Sequence, residues 1–402
     1  MTPALRQYAV ITGNYWAFTL TDGALRMLVV LYFYQLGYEP LQIAMLFVFY
    51  ELFGVITNLI GGWLGARIGL NRTMNLGLAL QIGALSMLAV PSHDLSVFWV
   101  MAAQALSGVA KDLNKMSAKS AIKMLLPSQA EGILFKWVSV LTGSKNALKG
   151  AGFFLGGSLL AHFGFQTAVL LMACVLFIVW CLSLALLTKD LGKARQTPKF
   201  TDIFSKSDAV NYLSAARFFL FGARDIWFVI ALPVFLSQTL NWGSEQTSAF
   251  LALWVIGYGI IQALSPRLLN YKTQTPTGDT AKILAGLLVL LPASIGLGLL
   301  YSINPTIVVI VGLTLFAFIF ALNSAVHSFL IVDYAKADGV SLDVGFYYMA
   351  NAMGRLVGTV LSGLLFQMAG QSTLGLIACL IGASLMLGVT FIISFKLPKA
   401  LA

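Results

Sequence analysis

"KGAGFFLGGSLLAHFGFQT" (149–167) and "RLVGTVLSGLLFQMAGQST" (355–373) lie 206 residues apart and share one frame. Lys149 falls on Arg355, Gly152 on Gly358, Gly157 on Gly363, Gly164 on Gly370 and Thr167 on Thr373. Each stretch is apolar and rich in glycine, and each opens on a cation. A pattern that recurs once, half a chain away, points to two copies of one structural unit. The remainder of the chain fits helical membrane units. Hydrophobic residues make up 59% of the 402 and charged residues only 10%, where soluble chains keep about a quarter charged. Apolar runs of about 20 residues, long enough to cross about 30 Å of hydrocarbon, recur from end to end.

Twelve spans are predicted, at 9–35, 40–64, 74–91, 95–117, 135–161, 166–187, 210–237, 245–264, 282–302, 306–332, 345–369 and 373–395. The longest polar segment, "TKDLGKARQTPKFTDIFSKSD" (188–208), falls at the midpoint. It divides a six-helix bundle at 1–188 from another at 210–402, with a linker at 189–209. A weaker repeat pairs "LGYEPLQIAML" at 36 with "LNWGSEQTSAF" at 240. No small-residue cleavage site follows the first span, which reads as a retained helix.

The net charge of +10 is placed unevenly. Turns after odd-numbered spans hold no Lys or Arg. Those after even-numbered spans hold Arg67, Arg72, Lys119, Lys123, Lys189, Lys193, Arg195, Lys199, Lys206, Arg267, Lys272 and Lys336. The positive-inside rule then puts the linker and both termini in the cytoplasm. The basic balance reflects orientation, so no nucleic-acid partner is expected. Cys174, Cys181 and Cys379 are scattered through apolar runs without a CxxC or Cys/His cluster, so no disulfide, metal or other cofactor is expected. Nothing matches HExxH, GxSxG or a Walker loop, and His93, His162 and His327 are isolated. The chain is read as neither an enzyme nor an ATP-driven pump.

The fold expected is an all-α membrane protein with two parallel six-helix halves and a site between them, the major facilitator architecture. Two motifs bear on it. "GGWLGARIG" (61–69) resembles the superfamily's cytoplasmic loop signature, with Gly62, Arg67 and Gly69 in place. Ala66 stands where the signature has an acid, so the charge lock built on that acid is missing; Arg67 is expected at a helix end instead. "GFFLGG" (152–157) resembles the glycine-rich fifth-helix pattern of exporters, with Phe153 in place of the usual proline.

A Lys or Arg at the centre of a membrane helix costs about 2.5–3.5 kcal/mol on insertion scales. The chain carries several: Arg26, Lys111, Lys115, Lys145, Lys149, Arg224 and Arg355. The acids are fewer: Asp22, Glu51, Asp112 and Asp225, with Asp333 near the inner surface. Asp22 and Arg26, four apart, are expected to pair; Asp112 is expected to serve Lys111 and Lys115 across neighbouring helices. Arg224 and Asp225 are adjacent, point about 100° apart and are expected to need separate partners. Lys145, Lys149, Arg224 and Arg355 then leave an excess of positive charge. A buried salt-bridge network that sets register would explain them structurally. A wet cationic cavity that takes a multiply charged anion explains the excess better.

Asn146 and Asn351 lie beside the key cations and could donate to an oxyanion or bridge two helices. So could Asn14, Thr19, Thr21, Asn58, Asn114, Thr142, Ser144 and Asn323. Tyr15, Trp16, Trp137 and Trp227 could line a cavity or simply pack. The substrate-binding set is therefore Arg26, Lys145, Asn146, Lys149, Arg224, Asn351 and Arg355. Candidates for coupling or gating are Asp22, Glu51, Lys111, Asp112, Lys115, Asp225 and His327.

Four long segments extend the resemblance. "NYWAFTLTDGALRMLVVLYFYQLGY" (14–38), "FYELFGVITNLIGGWLGARIGLNRTMN" (49–75), "QALSGVAKDLNKMSAKSAIK" (104–123) and "LFKWVSVLTGSKNALKGAGFFLGG" (134–157) closely resemble the ArsJ family of organoarsenical efflux permeases. The resemblance is dense in the first half and continuous through the second. It implies export of arsenophosphoglycerate (1-arseno-3-phosphoglycerate) across a bacterial inner membrane, and hence arsenate resistance. It also implies pairing with a glyceraldehyde-phosphate dehydrogenase that makes the substrate from arsenate. A monomer is expected, with the lipid bilayer and a small anionic substrate as its other partners. Alternatives are an exchanger of phosphate or sugar phosphates and, from a different class, a membrane sensor or scaffold.

Overall fold

The computed structural model describes residues 3–37, 46–91, 95–125, 131–187, 191–193, 207–242, 244–270, 275–301, 304–370 and 372–399. The turn at 38–40, the turn around His93 and most of the 189–209 linker lie outside the described residues, as does the weaker repeat's first copy beyond Gly37. Among the described residues the chain is helical, without strands.

The helices are α1 (Pro3–Gln35), α2 (Val48–Ile68), α3 (Leu70–Leu88), α4 (Val97–Leu125), α5 (Glu131–Leu186), α6 (Asp208–Phe228), α7 (Ala231–Gln238), α8 (Ser244–Leu268), α9 (Gly278–Leu300), α10 (Pro305–Tyr334), α11 (Val340–Met368) and α12 (Thr373–Ser394). Among the described residues, eight helical stretches are long and apolar enough to cross a membrane. Helices α1, α3 and α4 are long enough but more polar, and α1 and α4 carry charges of the site described below.

Local chemistry accounts for the joints. Helix α5 contains the fifth and sixth spans, broken at Gly164, whose φ of 72° suits only a residue without a Cβ. Its repeat partner Gly370 has φ 91° just after α11, so the two glycines make the same kind of turn. Gly69, at φ 98°, is the sole residue between α2 and α3. The expected loop at 65–73 is therefore helical on both sides, because one left-handed glycine makes the whole turn. The predicted seventh span is split into α6 and α7. Pro233 has no N–H for the Val229 carbonyl and its ring crowds that turn, which breaks the helix at Val229–Ile230. The Ala231 N–H released by the break donates to Ser362 Oγ at 3.2 Å. At α10, Asn304 accepts from the N–H groups of Thr306 and Ile307, with Pro305 as the first helical residue.

The chain forms two compact units. The first takes residues 1–137, 144–205 and 335–349; the second takes 138–143, 206–334 and 350–402. In the first, α4 packs on α1, α2 and α3, around a core that includes Phe18, Leu25, Phe33, Leu78 and Leu85. In the second, α12 packs on α6 and α9, and α10 on α8 and α9. Its core is aromatic: Trp227 meets Trp254 and Phe316 edge to face, at centroid distances of 5.8 and 5.2 Å. Trp227 is thus a packing residue.

In each unit the repeat makes a very close helix crossing. A Cβ on Gly152 would sit 2.6 Å from the Leu20 carbonyl oxygen of α1, beside Gly23. A Cβ on Gly358 would sit 2.4 Å from the Gly222 carbonyl oxygen of α6. Small residues bring two backbones together where lipid offers no hydrophobic drive. Lys149 and Arg355 each lie one turn or less before these crossings.

Candidate functional site

In the first unit the charges collect where α1, α2 and α4 meet. Glu51, in the first turn of α2, takes Arg26 Nη2 at 3.0 Å. Tyr50 donates its hydroxyl to Asp22 Oδ1 at 2.7 Å. Asp22 and Arg26 thus have these separate α2 partners, which corrects their expected pairing with each other. The carboxylate and the hydroxyl that α2 brings to these two side chains take the place of the pair along α1. The Tyr50 ring also carries two cations, Arg26 at 5.0 Å and Lys111 at 3.8 Å from its centroid.

On α4, Asp112 is 2% exposed and is flanked by Lys115, which donates to it, and by Lys111 at 3.8 Å. Both pairs lie within α4, three residues and one residue apart, rather than across helices as expected. A lysine stem is long enough to fold back along its own helix, and burial of the carboxylate draws it there. Two glycines make room. A Cβ on Gly54 would sit 2.7 Å from Asp112 Oδ2, and one on Gly108 would sit 2.5 Å from the Tyr50 carbonyl oxygen.

In the second unit Asp225 is 1% exposed and also serves two cations. Arg224 Nε lies 2.6 Å from its Oδ1 and Arg355 Nε 3.0 Å from its Oδ2. The expectation that Arg224 and Asp225 need different partners is corrected: adjacent Cβ atoms diverge, but the guanidinium reaches round to the carboxylate. Each unit thus holds one buried carboxylate clasped by two partly exposed cations.

The remaining candidates fall as follows. Lys145, Asn146 and Lys149 are half-buried on α5 in the first unit, with Lys149 Nζ 5.9 Å from the Phe153 ring centroid. Asn351 Oδ1 accepts from Arg217 Nε at 2.9 Å, so this asparagine serves a protein cation. His327 is fully buried on α10, and neither ring nitrogen has a hydrogen-bond partner among the described residues. Gly62 lies against the start of α11, its carbonyl accepting from Ser341 Oγ at 2.7 Å. Arg67 lies at a helix end as expected, in the last turn of α2, where it stacks over Trp63 at 5.0 Å. Asn14 bridges α1 to Ser183 at 2.8 Å, whereas Asn58 and Asn114 bond carbonyls of their own helices.

Two further cations lie outside the predicted substrate-binding and coupling sets. Arg217, 3% exposed, packs 3.8 Å from the Phe221 ring centroid and donates to Asn351 and to Ser324. It precedes Arg224 by two helical turns, a spacing that puts both on one face. Lys119, read as a loop residue, lies in α4 at 3% exposure and donates to the Tyr348 hydroxyl. It extends the four-residue spacing of Lys111 and Lys115.

No curated protein matches the chain. Among solved structures, the human organic anion transporter TETRAN covers 98% of this chain over 100% of its own, at TM-score 0.76 and 16% identity. The fucose:proton symporter of E. coli covers 98% over 99% of its own, at TM-score 0.76 and 13% identity. A bacterial homologue of the iron transporter ferroportin, in its outward-facing state, covers 98% over 99% of its own, at TM-score 0.75 and 13% identity. At these identities the likeness is one of fold. The model of the Major Facilitator Superfamily matches residues 11–359. With its helical spans, internal repeat and this match across most of its length, the chain belongs to the Major Facilitator Superfamily, a family of multi-pass membrane transporters.

Proposed function

We propose that the chain is a secondary transporter that exports 1-arseno-3-phosphoglycerate, an organic anion with a phosphate at one end and an acyl-arsenate at the other, by alternating access. The observation that carries this reading is the pair of cation-rich clusters. Asp112 and Asp225 each hold two cations in place. Arg224 uses Nε and Nη2 on Asp225 and Arg355 uses Nε, and a guanidinium has five N–H donors in a planar fork suited to phosphate-like oxygens. Each cluster suits a phosphate-like oxyanion. Lys145, Lys149 and Asn146 add donors on the fifth span.

The long segments shared with organoarsenical permeases select the arsenical among organic anions. On this reading a glyceraldehyde-phosphate dehydrogenase supplies the substrate, and the transporter works as a monomer in a bacterial inner membrane with both termini cytoplasmic. The product decomposes outside and releases arsenate, so export confers arsenate resistance. Growth of an arsenate-sensitive host tests the reading. Resistance is expected only when transporter and dehydrogenase are expressed together. Full resistance from the transporter alone would overturn the organoarsenical as substrate.

A further inference from the structure

Over residues 320–332 helix α10 is buried on every side. The stretch is mostly apolar, yet it carries Asn323, Ser324, His327 and Ser328. Asn323 and His327 are four residues apart, as are Ser324 and Ser328, so the four share one side of the helix. Ser324 is well served: its carbonyl and its hydroxyl accept from Arg217 Nη1 at 3.3 and 3.1 Å. Its neighbours are not. Asn323 and His327 are 0% exposed, and Asn323 Oδ1 and Nδ2 and His327 Nδ1 and Nε2 have no hydrogen-bond partner among the described residues. Ser328 Oγ shares that condition. Arg217 of α6 stands close enough for its charge to act on His327. An orphaned buried donor or acceptor costs stability that an apolar side chain of the same shape would not. Native chains satisfy nearly all such groups, so an asparagine and a histidine orphaned one turn apart call for a cause.

We propose that Asn323 and His327 are ligands for the transported anion, closed off in this state and opened to water and substrate in another state of the transport cycle. This rests on the anion-export reading above, whose alternating access supplies the second state. The orphaned atoms then work in both states. Here they find no partners, which raises the free energy of the closed arrangement; there they meet the substrate, whose binding draws the protein into the open one. The ligand class is a hydroxylated organic phosphate or arsenate. A carboxamide and an imidazole each combine donor and acceptor, donors for oxyanion oxygens and acceptors for a hydroxyl. Arg217 brings a guanidinium to the same side of α10, where it is anchored at Ser324 and donates Nε to Asn351 Oδ1 at 2.9 Å. Both α6 and α10 belong to the second unit, so the site lies within one compact body.

Thiol labelling of the purified full-length protein tests this, with 3-phosphoglycerate as the probe ligand. In a background with Cys174, Cys181 and Cys379 replaced by alanine, a hydrophilic maleimide is offered to Asn323→Cys, His327→Cys and Ala325→Cys. Ala325 is 0% exposed and lies about 200° round the helix from each of the other two, so it is the control. Asn323→Cys and His327→Cys are expected to label about tenfold faster than Ala325→Cys, and saturating 3-phosphoglycerate to slow them by about threefold or more. Labelling no faster than the control, or labelling indifferent to 3-phosphoglycerate that the wild type binds, overturns the ligand role. His327→Leu gives a second readout should a cysteine variant fail to fold. With two orphaned atoms gone, its unfolding temperature is expected to rise, while calorimetric titration shows 3-phosphoglycerate binding weakened by about tenfold. A lower unfolding temperature with unchanged binding would make His327 a structural residue and overturn the inference. Wild type that binds no 3-phosphoglycerate removes the anion reading and this inference together. Wild-type binding that His327→Leu leaves intact removes this inference alone.

Discussion

Arg355 Nε lies 3.0 Å from Asp225 Oδ2, and the carboxylate is 1% exposed where the guanidinium is 32% exposed. The acid is the buried anchor and the cation presents donors outward from it. Arg355→Gln leaves Asp225 with Arg224, and Arg224→Gln leaves it with Arg355. Each single change is expected to raise the KM for substrate by about tenfold, the worth of one charge-assisted contact, with the protein still folded. The double change strands a buried carboxylate, which costs about 3–5 kcal/mol. A sharp fall in folded yield and thermal stability is expected from the double variant alone, read by size-exclusion profile and thermal unfolding.

The two close helix crossings give a second prediction. Gly152→Ala and Gly358→Ala each press a methyl group onto a backbone carbonyl, at 2.6 and 2.4 Å before relaxation. Each is expected to destabilise its unit by about 1–3 kcal/mol. Gly257→Ala on α8 has nothing within 4 Å and is the control. Equal unfolding temperatures for all three would contradict the crossings.

A third concerns the broken seventh span. Ser362→Ala removes the acceptor for the Ala231 N–H and leaves a buried donor unpaired, at a cost of about 1–3 kcal/mol. Pro233→Ala restores an N–H for the Val229 carbonyl and lets the helix run on. The Ala231 N–H then has a carbonyl of its own helix. In the Pro233→Ala background, Ser362→Ala is therefore expected to cost markedly less. A double-mutant cycle on thermal stability measures the difference; additive effects would contradict the cause assigned to the break.

A fourth concerns Tyr50, which bonds Asp22 and holds Arg26 and Lys111 against its ring. Tyr50→Phe loses the hydroxyl and keeps the ring; Tyr50→Leu loses both. Initial rates of uptake are expected to fall modestly in the first and severely in the second. Equal loss in the two variants would show that the hydroxyl alone matters.

Much of the fold is legible in the sequence, because hydropathy and glycine spacing act locally. The apolar runs mark the spans, and Gly164 and Gly370 are readable from the repeat as turns. Boundaries are harder: α4 runs on to Leu125 where charge suggests a loop, since buried partners such as Tyr348 keep Lys119 inside the helix. The site is legible as a set of cations and not as a set of pairs. Pairing depends on how far long side chains fold back, as Arg224 does to Asp225, and on which helix arrives opposite, as α2 does to Asp22 and Arg26. The i, i+7 step from Arg217 to Arg224 was the available signal for the missed cation, hidden because Arg217 lies close to the polar linker.

The proposed role is export of an organic oxyanion held by membrane-embedded cations. Everted membrane vesicles test it most directly, loaded from outside with radiolabelled, enzymatically generated 1-arseno-3-phosphoglycerate and challenged with phosphate and 3-phosphoglycerate as competitors. Wild type is compared with Lys149→Ala and Arg355→Ala. The expected result is accumulation of the arsenical by wild type, little competition from phosphate, and loss of uptake in both variants at normal folded protein levels. Wild-type uptake of phosphate or sugar phosphates equal to that of the arsenical, or undiminished arsenical uptake by both variants, would contradict it.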